Sequence, residues 1–238
     1  MIDFNFFCKE ILVVIANYDF SSNASILKNQ FSKFMPTILI DGGSLKPPPD
    51  FDFLIENTYY PGLFNSAVSL ALKENYKYLM FVASDVEIND VKSLCYFSIQ
   101  SLKNEKIAVY SPSVTHESRT AYPLLINKNK ASLREVGVVE GFFFLCKTDI
   151  LKKIYPIPKD SKFGWGFDLL MCHHAYEAGD IVVVDDRLQI FHPASIKEHI
   201  IDNEYANNEM FKFVTKKIFE ESIERMLKIS EASQIDKK

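Results

Sequence analysis

Only four cysteines, eight glycines and one tryptophan occur in this chain of 238 residues. No apolar run approaches the ~18 residues that span a bilayer. Cys8, Cys95, Cys146 and Cys172 form no C-x-x-C pair, and three of them sit in apolar runs, where a free thiol behaves as a small hydrophobe. A disulfide framework is disfavoured and a reduced, cytoplasmic setting is expected. The N-terminus carries Asp3 and has no basic segment leading into a long apolar stretch, which argues against a signal peptide. A net charge of −4 gives no reason to expect nucleic acid as a partner. No G-x-G-x-x-G follows the first apolar run and no Walker-type lysine loop occurs, which disfavours dehydrogenases and P-loop enzymes.

What is present is an ordinary globular composition, 47% hydrophobic and 24% charged, in a chain long enough to bury a core without staples. Residues 11–16, 37–40 and 78–83 are short apolar runs that read as buried strands, and 53–57 and 107–110 read as further short strands. Helices are expected between them: over 24–34, from Pro61 to about 75, and, capped by Asn89 or Asp90, to about 103. Residues 111–135 are polar and aperiodic and read as a long loop. A strand over 138–146, helices over 148–154 and 168–178, and two separate late strands over 181–184 and 188–191 follow, with Gly179 closing the second helix. Apolar positions from 203 to about 230 recur at helical spacing as one helix. The order predicts an α/β domain over 1–200 around a mostly parallel sheet with helices on both faces, and a C-terminal helical extension over 201–238.

In such sheets ligands bind beyond the carboxyl ends of the strands, which singles out Asn17, Asp41, Asn57, Asp85 and Glu140. Ser84-Asp85-Val86-Glu87 places carboxylates at a buried strand end, where a metal or a metal-bound diphosphate is held; a turn cap is the alternative. Asp41, followed by Gly42 and Gly43, is a turn-former or a hydrogen-bond acceptor for a base or ribose. In Phe163-Gly164-Trp165-Gly166-Phe167-Asp168 the tryptophan lies between glycines, outside any regular element, where its apolar face stacks on a sugar or joins the core. Asp168 opens a helix, as a cap favoured by the dipole or as a base that deprotonates a hydroxyl. His116 and Arg119, in the polar segment, read as surface residues, with cations that close over a diphosphate or an anionic acceptor as the alternative.

In this order the segments resemble the GT-A glycosyltransferases, especially the inverting, family-two-like enzymes that use nucleotide-diphosphate sugars. Ala16-Asn17-Tyr18 and Ile40-Asp41-Gly42-Gly43-Ser44 are similar to that family's nucleobase and ribose cradle. The stretch from Asn57 to Ala67, which includes Asn65, resembles its N-x-G-x-x-x-A-x-N segment. Ala83-Ser84-Asp85 resembles the D-x-D strand end, and Gly164-Trp165-Gly166-Phe167-Asp168 the W-G-x-E/D-D motif. The resemblance implies a Rossmann-like GT-A fold, donor contacts from Ala16, Asn17, Asp41, Asn57, Asn65, Ser84 and Asp85, and Asp168 as the base. It also implies acceptor contacts from Trp165, Gly166 and Glu140, and Mg²⁺ or Mn²⁺ held by Asp85 and His192. The partners it implies are a nucleotide-diphosphate sugar and a saccharide or lipid-linked glycan. Ala83 stands where the first acid is expected and Phe167 where an acid precedes the base, which motivates a second reading as a non-catalytic module that binds sugar nucleotides or glycans. Lys212, Lys216 and Lys217 near Phe211, Phe213 and Phe219 allow peripheral membrane contact. Glu209, Glu220, Glu221 and Glu224 oppose a basic face, so packing on the domain or in a homodimer is favoured.

Overall fold

The computed structural model describes residues 9–158, 161, 163–193 and 203–235. Eight strands form one sheet: β1 (Ile11–Asn17), β2 (Thr37–Asp41), β3 (Phe53–Leu54), β4 (Tyr78–Ala83), β5 (Ile107–Val114), β6 (Leu133–Glu135), β7 (Phe143–Lys147) and β8 (Ile181–Ile190). Their order is β3-β2-β1-β4-β7-β5-β8-β6. β1 runs parallel to β2 and β4, and β5 parallel to β8, while β7 is antiparallel to both β4 and β5. The seven residues of β1 are all buried, as a strand covered on both faces requires. The helices are α1 (Ser21–Phe31), α2 (Tyr59–Lys73), α3 (Val91–Leu102), α4 (Thr148–Ile154), α5 (Phe167–Glu177), α6 (Asn203–Met210) and α7 (Lys216–Ile235). Asp90 caps α3 by accepting from Ser93 N at 2.9 Å, and Gly179 ends α5 at φ +79°.

Four expectations are corrected. The loop over 111–135 is in part structure: β5 runs on to Val114 with every residue buried, Pro123–Leu125 is a short 3₁₀ helix and β6 follows. Serines and a proline disguise this strand. Ser113 Oγ donates to Leu188 O at 2.7 Å, and Pro112 sits at a register irregularity, where a missing N–H costs little. The two late strands are one, because the charges between them are paired. Arg187 donates to Asp185, which also accepts from Tyr110 Oη at 3.0 Å, and Arg134 Nε donates to Asp186 at 2.6 Å. Of the strand expected over 138–146 only the second half is regular; Gly141 turns the chain where a Cβ would meet the Phe167 ring at 2.5 Å. The C-terminal helix breaks between 210 and 216, where Val214 is buried and Thr215 Oγ1 caps the next helix by accepting from Ile218 N at 3.2 Å.

The reversed strand β7 has a positional effect. Its first residues enter the sheet from the edge at which β1, β2, β4 and β8 end, so Glu140 stands beside Asp85 and His192 without a crossover helix.

Candidate active site

The carboxyl ends of β1, β2 and β4 are tied by side chains. Asn17 and Asp41 are fully buried, and Asn17 Nδ2 donates to Asp41 Oδ2 at 2.6 Å and to Ser44 Oγ at 3.1 Å. Ser84 Oγ donates to Asn17 Oδ1 at 2.7 Å, and Ser84 N donates to Ala16 O at 2.9 Å. The remaining Asp41 oxygen accepts from the backbone N–H groups of Gly43 and Ser44 at 3.0 and 2.8 Å. These residues therefore fix the shape of the strand ends. Asn57 is exposed and accepts from Tyr59 N at 3.0 Å; Tyr59 itself has φ +55°. Asn65 clasps the backbone of Ile157 in both directions, at 2.8 and 2.9 Å, and faces a separate hollow of about 360 Å³ beside Phe53 and Ser69.

A cleft of about 640 Å³ brings the others together: Asp85, Glu140, Trp165, Gly166, Asp168 and His192 all line it. Asp85 Oδ2 lies 3.5 Å from His192 Nε2, while Asp85 Oδ1 is buried with no hydrogen-bond partner. His192 Nδ1 lies 2.7 Å from Arg119 O, a carbonyl that only an N–H can serve, so Nε2 faces Asp85 with a lone pair in the neutral ring and with an N–H in the protonated one. Burial pulls the imidazole pKa down, but the hydrogen bond and charge of Asp85 outweigh it and the net shift is upward. His192 also stacks on Phe142, with ring centroids 4.2 Å apart.

Asp168 is buried at the first turn of α5. Burial pushes its carboxyl up to about 7, against the hydrogen bond from Leu169 N at 2.9 Å and with help from the nearby Glu140 charge. Burial likewise raises Glu140, although its Oε2 accepts from Thr120 Oγ1 at 2.7 Å and Ala121 N at 3.1 Å. Trp165 is held between two left-handed glycines, Gly164 at φ +64° and Gly166 at φ +87°. A Cβ on Gly166 would lie 2.5 Å from Met210 Cγ and 2.7 Å from Val214 Cγ2. Gly166→Ala is thus expected to cost at least about 2 kcal/mol, from the left-handed backbone and the overlap together. Differential scanning calorimetry should show a Tm lower by roughly 4–8 °C; an unchanged Tm would mean that the C-terminal helices do not press on this loop.

Several cleft residues were not among the predicted site residues. Arg119, read as a surface residue, lines the cleft and is held by its backbone to His192: its N donates to His192 O at 2.8 Å. Tyr122 sits within hydrogen-bonding influence of Asp168, and burial followed by that charge drives its phenol far up. Tyr60 donates to Gly141 O at 2.9 Å and packs on Phe167 with centroids 5.0 Å apart. Asn207, Met210 and Phe219 come from the C-terminal helices. Apart from Tyr60, which lies in the 57–67 stretch, none belongs to a recognisable motif; the topology places them.

No family model matches the chain, and no curated protein does. Among solved structures it is similar to a crystal structure of GalNAc-T7 with UDP, GalNAc and Mn²⁺, with a TM-score of 0.57 at 10% identity over 79% of this chain. The match takes in 43% of that chain, so the present chain spans less than half its length. A structure of A197 from STIV is matched over 79% of this chain and 98% of that one, at 13% identity and a TM-score of 0.41. The first likeness shows the fold: a single α/β domain with an eight-stranded, mostly parallel mixed sheet, similar to the GT-A glycosyltransferase fold. Among the described residues no helix is long and apolar enough to cross a membrane.

Proposed function

We propose that the chain transfers a sugar from a nucleotide-diphosphate donor to a hydroxyl of a saccharide or glycolipid, with inversion, in the building of a cell-surface polysaccharide or glycan. The observation that carries this reading is the placement of Asp168, with a pKa near neutrality, in one cleft with Trp165 and the Asp85–His192 pair. A base poised near working pH takes a proton most effectively, and a carboxylate does so only if burial lifts it out of its usual range. In this reading Asp168 removes the proton from the acceptor hydroxyl as that oxygen attacks the anomeric carbon. Trp165 supports the acceptor ring, and Arg119, at the mouth of the cleft, faces the negative charge of the donor.

The residues fit a divalent cation. Asp85 Oδ1 is a buried acceptor without a donor, Oδ2 and His192 Nε2 are 3.5 Å apart, and the tautomer leaves Nε2 able to ligate. Among the described residues no group of three or more His, Cys, Asp or Glu side chains is placed to hold a metal ion. A site of two protein ligands suits Mg²⁺ or Mn²⁺, which complete their shells with water and diphosphate oxygens. Such an ion, when bound, neutralises charge on the departing nucleoside diphosphate. The bound UDP and Mn²⁺ of the GalNAc-T7 structure support this choice of donor and metal. Ala16, Asn17, Asp41 and Ser84 shape the strand ends against which the nucleoside lies, Asn57 contacts it from the rim, and Asn65 holds the helix behind it.

A panel of nucleotide sugars with Mg²⁺ or Mn²⁺, read by released nucleoside diphosphate, tests the reading. At least one donor should be turned over slowly even onto water, and proton NMR of a transfer product should show inverted anomeric configuration. No turnover of any donor would favour a binding module, and retained configuration would remove the single-displacement role of Asp168. The pH profile is a further check. Because the carboxylate form is the active one, the rate should climb about tenfold per pH unit below about 7 and level off above it. A rate flat from pH 5 to 8 would contradict Asp168 as base.

A further inference from the structure

The polar groups of the cleft and its apolar wall come from different parts of the chain. Asp85, Glu140 and His192 stand at the sheet edge, with Arg119 docked on His192. The loop carrying Trp165 and the helices α6 and α7 form the other wall, in which Met210 and Phe219 offer hydrocarbon and Asn207 one polar group. Sugar hydroxyls find nothing to bond on methionine or phenylalanine, whereas methylene groups do. This wall leads out of the cleft. The Phe219 ring meets Phe211 edge-on, with centroids 5.4 Å apart and planes at 67°, and Phe211 is 46% exposed. Ile223 and Leu227 follow one and two turns along α7 from Phe219 and are 38% and 59% exposed. Charges beside this track are paired locally, Lys212 with Glu209, Lys216 with Glu220, Lys217 with Glu221 and Lys228 with Glu224, and Arg225 lies over the Tyr176 ring. It therefore has apolar surface without a net positive field, which suits an uncharged chain and not an anionic bilayer surface.

We propose that the acceptor is a glycoside with a hydrocarbon aglycone, its sugar against Trp165 and its tail leaving the cleft over Phe219 and Phe211. This inference rests on the sugar-transfer reading and narrows its acceptor from a saccharide or glycolipid to a sugar with an apolar tail. The tail adds affinity by burying methylenes on a surface that is already formed. Two buried methylenes are worth about tenfold, so an eight-carbon chain needs only part of its length on the track.

The chain's single tryptophan makes the test direct, since intrinsic fluorescence reports on Trp165 alone. The full chain is titrated, with Mn²⁺ and UDP present, with paired methyl and n-octyl β-glycosides of common hexoses and N-acetylhexosamines, below their micelle concentrations. At least one octyl glycoside should bind about tenfold or more tightly than its methyl partner. Phe219→Ala and Phe211→Ala, shown by circular dichroism to be folded, should each bring the octyl-to-methyl ratio toward one. Equal affinity within every pair would overturn the proposal, as would an octyl preference that survives both substitutions. An equal fluorescence response to n-octanol would assign the effect to a general apolar patch and also overturn it. Sedimentation gives one more overturning outcome: self-association lost in Phe211→Ala would show that a second copy covers the track. Donor turnover onto water needs no aglycone, so its absence would count against the sugar-transfer reading and not against the track.

Discussion

Asp168→Asn is expected to lower transfer by about 10²–10⁴-fold while leaving nucleotide binding intact, since the amide keeps the shape of the carboxyl and loses its basicity. The same substitution should make the protein more stable in mild alkali. The Asp168 pKa is about 7 in the fold against 3.8 for a free aspartate, so the fold prefers the protonated form. The stability this preference supplies is complete below about pH 4 and is lost as pH rises through 7. A shift of this size is on the order of a few kcal/mol, and asparagine, which does not ionise, avoids the loss. Thermal melts at pH 5 and pH 8 check it: the gap between variant and wild type should be larger at pH 8. A variant less stable than wild type at pH 8 would mean that the Asp168 charge is compensated in the fold. Gain of stability with loss of turnover is the mark of a group kept for chemistry at the expense of the fold.

Asp85→Ala should weaken metal-dependent binding of nucleoside diphosphate at least tenfold, because one charge-assisted ligand is worth about 1.5–3 kcal/mol. The measurement is the thermal shift given by UDP in the presence and absence of Mn²⁺, compared between wild type and variant. Wild type should show a shift that needs the metal, and the variant little or none. An equal metal-dependent shift in both would take Asp85 out of the site. Removing Asp85 also takes away the charge that raises the His192 pKa, so His192→Ala is the necessary companion; it should reduce the shift without affecting the strand-end network of Asn17, Asp41 and Ser84.

Much of this arrangement was open to inspection in the sequence. Ile11–Asn17 and Tyr78–Ala83 are runs of apolar residues with no competing periodicity, and buried parallel strands leave that trace. Gly164, Trp165 and Gly166 announced a special backbone because no regular element accommodates them, and both glycines do take left-handed conformations. What stayed hidden shares one cause: polar residues satisfied by partners far away in sequence. Ser111 and Ser113 pass for a loop until Phe143 and Leu188 are beside them, and Asp185, Asp186 and Arg187 pass for a break until Tyr110 and Arg134 are. Arg119 and Tyr122 enter the cleft by the same route, since a backbone bond to His192 and two hydrogen bonds to Glu140 dock the segment that carries them.

Gly166 is seated against Met210 and Val214, and Gly137 against Met226, so the tryptophan loop and the segment before β7 both lie against the C-terminal helices. All eight described strands precede these helices in the chain, the last of them ending at Ile190. Without the helices the tryptophan loop would lose this support and the cleft one of its walls. One wall of the cleft thus depends on a segment that adds none of the eight described strands of the sheet.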